Sequence, residues 1–338
     1  MDKRQIAQFS VTSVGLGCMN LSHAYGHPPS TEQAHAVLHA ALDAGVTLFD
    51  TAALYGFGAN EELVGPVLKP HRNHITLCSK GGMAGVRGDD GVLKRVIDGR
   101  PQTLRQNCED SLKRLGTDVI DLYYLHRWDK NVPIEESIGE MARLKEEGKI
   151  RALGVSEIGV DALRRAHKEH PLAALQSEYS LWSRNAELGT LAACKELGIA
   201  YVAFSPVGRA FLTGKLQDVS NFVKGDIRAV MPRFQADAYA QNLRLLAPMQ
   251  AIAERADCTL AELAIAWLLH QGEHVIALPG TTKVDHLRED IRGADVKLDA
   301  SLLAELNDLF KPEAIVGDRY VLQGQREADT EKYAFEKC

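Results

Sequence analysis

Several signatures are missing from this 338-residue chain, and each absence closes a class of explanation. No run of about 18 apolar residues occurs, so no membrane-crossing helix is expected. The opening Met1-Asp2-Lys3-Arg4-Gln5-Ile6-Ala7-Gln8 carries charge but no apolar leader segment, which points to a soluble, cytoplasmic protein. Six cysteines (Cys18, Cys78, Cys108, Cys194, Cys258, Cys338) show no Cys-x-x-Cys spacing, so neither a disulfide framework nor a zinc site is expected. No Gly-x-Gly-x-x-Gly turn opens a strand–helix–strand unit, which argues against a Rossmann-type site. There is no low-complexity linker and no excess of positive charge. A net charge of −6 argues against nucleic acid as a partner. What remains is ordinary for a globular protein, with 45% hydrophobic and 25% charged residues.

The positive content is a repeating pair. Apolar runs that read as strands end near Gly17, Asp50, Lys80, His126, Ser156, Gln176, Ser205 and Leu278, with a helical pattern after almost every one. One such helix has Ser30 as cap, Ala34, Val37, Leu38, Ala41 and Leu42 on one face, and Gly45 as its stop. Others span 101–115, 134–147 and 185–197, each followed by glycine. Eight such units predict an α/β fold, a single-domain (β/α)8 TIM barrel over residues 1–311. Three intervals, 81–100, 127–133 and 207–236, exceed a tight connection and leave the carboxyl ends of strands. The first reads either as a mobile surface loop around Gly88-Asp89-Asp90-Gly91 or as functional. Residues 312–338 lack apolar periodicity and are expected over or beside the barrel mouth.

The stretch Thr47 to Gly56 organises the rest. Val46 to Phe49 is apolar without alternation, as in a strand covered on both faces, and it ends in Asp50 with Tyr55 five residues later. Lys80 closes Ile75-Thr76-Leu77-Cys78-Ser79, and His126 closes Ile120-Asp121-Leu122-Tyr123-Tyr124-Leu125. Singly these residues admit bland readings: a turn acceptor, satisfied structural groups, a surface lysine. Three of them on successive strand ends, in order with the tyrosine, are much harder to explain that way.

Asp50, Tyr55, Lys80 and His126 resemble the catalytic tetrad of the aldo-keto reductase superfamily, and the chain is most similar to its pyridoxal-reductase/perakine-reductase-like branch. The resemblance runs from about Val14 to Asp290, with a weaker match at Gly317-Asp318-Arg319-Tyr320. It implies reversible, NADP-dependent reduction of small-molecule aldehydes or ketones to alcohols. A nicotinamide supplies the hydride. Tyr55 is then the general acid and base, Lys80 the cation that favours its phenolate, Asp50 the anchor of Lys80, and His126 a donor to the substrate oxygen, with no metal.

By the same resemblance, Ser156 and Gln176 hold the nicotinamide carboxamide, although Glu157 stands where asparagine is usual. Phe204 stacks on the nicotinamide, and Ser205, Pro206, Val207, Gly208 and Lys215 belong to the pyrophosphate belt. Gly280, Thr281, Thr282 and Lys283 precede a helix N-terminus suited to a phosphate, with Lys283 on the 2′-phosphate. His286, Glu289 and Asp290 reach the adenosine end, with His286 where arginine is common and Asp290 where asparagine is usual. Met19, Tyr25, Met83, Trp128, Tyr179, Trp182 and Phe211 are the expected substrate-pocket residues. A second reading is a nicotinamide-binding regulatory subunit related to channel β-subunits; a Schiff-base lyase using Lys80 leaves the cofactor motifs unexplained. Oligomeric state is not legible.

Overall fold

The apolar runs become eight strands: β1 (Leu16–Gly17), β2 (Leu48–Asp50), β3 (Thr76–Gly81), β4 (Ile120–Leu125), β5 (Ile150–Ser156), β6 (Ala174–Glu178), β7 (Ala200–Phe204) and β8 (Val275–Leu278). They form one sheet in chain order, every pair parallel. The edges meet, because Gly15 N donates to Ala277 O and Ala277 N to Ser13 O, both at 2.9 Å. The result is a (β/α)8 TIM barrel. The structure is a computed structural model that describes residues 1–89 and 91–337. Asp90, within the Gly88–Gly91 stretch, and Cys338 lie outside the described residues.

The pleat decides what the barrel holds. Side chains alternate across a strand, so positions two apart share a face. Leu48, Cys78, Leu122, Tyr124, Ala152, Ala174, Ala200, Val202, Ile276 and Leu278 pack together in the interior. Phe49, Leu77, Tyr123, Leu125, Leu153, Val155, Leu175 and Tyr201 face the helices. The same parity carries Asp50, Lys80, His126, Ser156, Gln176 and Phe204 inward at the carboxyl ends. Gly154 belongs to this inner row, where a Cβ would meet the Tyr124 ring at 2.5 Å. An N-terminal hairpin, Lys3–Ile6 with Phe9–Thr12, adds Ile6 and Val11 to the interior and closes the opposite end.

Local signals fix the helices. In Thr31–Asp43, Ser30 accepts from Gln33 N and the Gln33 side chain accepts from Ser30 N, satisfying orphan donors at the helix start. Its Ala34, Val37, Leu38 and Ala41 are buried against the outside of the barrel. Pro101–Leu115 begins on proline and ends at Gly116, whose φ of 63° suits a residue without Cβ.

Three regions differ from the sequence reading. The interval after β3 is a two-stranded antiparallel hairpin, Met83–Arg87 with Leu93–Ile97, in which Val86, Val96 and Ile97 supply β-branched residues facing Lys94, Ala84 and Met83. The expected helix 185–197 is a single turn, Asn185–Leu188, followed by the helix Thr190–Leu197. Residues 312–327 include a short helix, Leu322–Glu327, held by Arg319, which donates to Glu157 Oε1 at 3.2 Å and Oε2 at 2.8 Å. No helix among the described residues is long and apolar enough to cross a membrane.

Candidate active site

Four side chains from different elements converge at the carboxyl end of the barrel. Lys80 is wholly buried, and its Nζ donates to Asp50 Oδ1, to Thr51 O at 2.9 Å and to Tyr55 Oη at 3.2 Å. Asp50 Oδ2 accepts from Gln176 Nε2 at 2.8 Å, so both carboxylate oxygens are engaged. The His126 ring meets Tyr55 edge-on with centroids 5.7 Å apart, and the His23 ring lies 5.4 Å from Tyr55 on another side.

Burial and charge set the protonation states. Burial works against the Lys80 charge, but Asp50 and Tyr55 outweigh it and raise its pKa. Burial raises the Tyr55 phenol, and Lys80 offsets that only in part. For His126, burial followed by the positive charges of Lys80, Arg127 and Arg95 lowers the imidazole pKa well below its usual value. His126 Nδ1 is buried and has no hydrogen-bond partner among the described residues. Tyr55 and His126 are therefore two neutral groups able to face a carbonyl oxygen, beside a permanent cation. Burial also pushes the nearby Cys18 thiol up to about 12, which leaves it an inert packing group.

This cluster is the floor of a cavity of about 560 Å³. One end is lined by Met19, Tyr25, Leu54, Met83, Arg95 and Arg228. The other runs past Ser156, Gln176 and Phe204 along Ser205, Pro206, Val207 and Lys215 to Gly280, Thr281, Thr282, His286, Glu289 and Asp290. Its belt is conformationally unusual: Ser205, Gly208, Arg209 and Ala210 have φ of 54°, 58°, 54° and 78°. Successive left-handed residues turn backbone N–H groups toward one side, a concavity suited to anions. Lys215 Nζ bonds Glu289 Oε2 at 2.8 Å across the groove. An elongated cavity with hydroxyls, an open amide and an anion-suited belt fits a dinucleotide.

A model of the Aldo/keto reductase family matches residues 13–311. The chain belongs to that family. As a family member it is an oxidoreductase of carbonyl compounds. It is 42% identical over 313 residues to "Probable aldo-keto reductase 1" of Glycine max, covering 92% of this chain and 89% of the relative. Among solved structures it is similar to the glycerol dehydrogenase of Gluconobacter oxydans, with TM-score 0.84 and 29% identity over 100% of this chain and 99% of that one. An aldo/keto reductase from Klebsiella pneumoniae, solved with NADP and acetate, gives TM-score 0.70 and 27% identity over 95% and 99%.

The reductase fold does not bring every expected residue to the cavity. Tyr179, one residue past β6, is fully buried in the outer core, edge-on against Tyr201 and Trp267, with its hydroxyl donating to Glu187 Oε1 at 2.9 Å. Trp182 and Phe211 stack on each other at 4.0 Å beneath Phe234 and are buried behind the pocket wall. Trp128 turns away, its Nε1 donating to Val132 O at 2.9 Å and its ring facing Arg165. Gly208 is part of the belt but does not line the cavity, with Trp182 close against it, and Lys283 is exposed beside the groove at the cap of the helix Val284–Arg292.

Other residues line the cavity unforeseen: His23, Arg95, Arg127, Arg209, Arg228, and Tyr320 with Glu327 from the C-terminal segment. Arg209 and Tyr320 lie inside motifs that the sequence does display. The hairpin arginine, Arg95, carries no motif at all. Behind this wall Arg209 donates to Glu178 Oε2 and to Tyr25 Oη, both at 2.8 Å, tying β6, the belt and the first loop together.

Proposed function

We propose that this reductase uses NADP to reduce small aldehydes or ketones, with Tyr55 as general acid. The observation that carries the reading is the Lys80 Nζ to Tyr55 Oη contact of 3.2 Å, in a cluster that ends a cavity of dinucleotide shape. Bound nicotinamide supplies the hydride to the carbonyl carbon. Tyr55 gives its hydroxyl proton to the carbonyl oxygen, and the phenolate left behind is stabilised by the Lys80 charge, itself anchored by Asp50. His126, held neutral, orients the same oxygen. In alcohol oxidation the phenolate takes the proton back.

The cofactor assignment draws on the NADP complex of the Klebsiella pneumoniae relative and on the fit of the groove. Ser156 and Gln176 would hold the carboxamide, the belt residues the pyrophosphate, and Thr281 with Lys283 the 2′-phosphate. The substrate end combines Met19, Leu54 and Met83 with Tyr25 and arginines, an apolar floor with a polar rim.

The test is loss of the reduced-nicotinamide absorbance with NADPH, then NADH, against pyridoxal, nitrobenzaldehyde, methylglyoxal, a quinone and several keto-sugars. Turnover of a carbonyl with NADPH preferred supports the proposal. Absence of NADPH binding would overturn it.

A further inference from the structure

Glu157 stands where an asparagine would complete the nicotinamide carboxamide site, and its side chain is not in the cavity. The residue is fully buried with φ of 55°, its Oε1 accepts from Glu178 N at 3.0 Å, and both its oxygens accept from Arg319. It is committed to fastening the C-terminal segment. Being a carboxylate, it also has no donor to offer a carbonyl oxygen.

The space beside Ser156 is taken instead by Arg127, the residue after His126. Its Nη1 donates to His126 O at 2.7 Å and to Ser156 Oγ at 3.2 Å, which fixes the plane of the guanidinium. Its Nε and Nη2 make no hydrogen bond to the described residues, and no carboxylate among them lies within ion-pair distance. Arg127 lines the cavity, and its charge reaches both Tyr55 and His126. Ser156, accepting from Arg127, keeps its own hydroxyl proton to donate. Gln176 donates to Asp50 through Nε2, which leaves its Oε1 as the acceptor side of the amide.

We propose that Arg127 replaces the missing asparagine as a cofactor-positioning residue: it donates to the carboxamide oxygen together with Ser156, while Gln176 accepts from the carboxamide NH2. Two donors and one acceptor match a primary amide, which offers an acceptor oxygen and donor hydrogens. The assignment rests on the proposed function, since it presupposes a nicotinamide in the groove. It also gives Glu157 and Arg127 complementary parts, the first released from the cavity because the second fills its place.

The experiment compares binding of NADPH with binding of 2′,5′-ADP, which has the phosphate end but no nicotinamide, by fluorescence titration of the full chain and of Arg127→Ala and Arg127→Lys. The expected result is NADPH binding weakened about tenfold or more in Arg127→Ala, the scale of one charge-assisted hydrogen bond. Binding of 2′,5′-ADP should stay unchanged, and Arg127→Lys should recover part of the loss. Unchanged NADPH affinity overturns the assignment, and equal weakening of both ligands overturns it in favour of a structural role. Circular dichroism separates a misfolded variant, in which case Arg127→Lys alone decides. Failure of the unsubstituted chain to bind NADPH sinks the proposed function itself.

Discussion

Burial and the Lys80 charge pull the Tyr55 phenol in opposite directions, and burial prevails. In the proposed mechanism the lysine therefore acts less by ionising the resting tyrosine than by stabilising the phenolate that forms when the proton leaves. A consequence follows for pH. Tyr55 has its pKa raised above the ordinary 10.0 and His126 lowered below the ordinary 6.5, so both are neutral between those values. The rate of carbonyl reduction at saturating NADPH and substrate is expected to be level from pH 6.5 to 10.0. A fall centred near neutral pH, measured in buffers of constant ionic strength, would contradict this account.

Lys283 gives a second prediction at the same scale. It is exposed beside the groove, so Lys283→Ala leaves no buried partner unsatisfied. NADPH affinity should fall about tenfold, the scale of one charge-assisted contact to phosphate, with NADH affinity little changed. Equal losses for both cofactors, read by the same titration, would exclude the 2′-phosphate role.

At the level of elements, legibility followed the pleat. Asp50, Lys80, His126, Ser156, Gln176 and Phe204 each stand two residues beyond an inward position of their strand, so an assignment of strand ends also assigns their direction. The same rule explains one error: Tyr179, the first residue past β6, continues the parity of Leu175 and Ser177, the helix-facing row of that strand. Trp128 and Trp182 lie beyond strand ends, where no period fixes direction, and both found partners in the outer layer. Arg95 was illegible because the hairpin that carries it exists only by cross-strand pairing.

Elements are also where buried charge is handled. Burial pushes the Glu178 carboxyl up, but Arg209, Arg319 and Arg233 overrule it and hold its pKa down at about 2. Against the ordinary 4.5, this lowered value means stability that is fully present above pH 4.5 and lost as pH falls through about 2. Glu178→Gln should flatten that acid dependence in urea unfolding followed across the window. It should also lower stability near neutrality by about 3–5 kcal/mol, because Arg209 is left buried without its carboxylate. An unchanged acid limb would show that Glu178 is not the group responsible.

The whole molecule draws one site from distant parts of the chain. Lys80 and Asp50 are adjacent because β2 and β3 pair in parallel; Gln176 reaches Asp50 across the barrel interior from β6. The C-terminal segment adds Tyr320 and Glu327 to the cavity wall, and Arg319 secures it to β5 through Glu157. The barrel thus fixes the proposed proton donor, while segments leaving its carboxyl ends shape access to it. The most direct test of the central claim compares Tyr55→Phe with the unsubstituted chain, measuring NADPH binding and carbonyl turnover on the same preparations. The account predicts that turnover is abolished while the dissociation constant stays within about twofold, since only a hydroxyl aimed at the substrate is removed. Retained turnover, or loss of NADPH binding together with turnover, would contradict it.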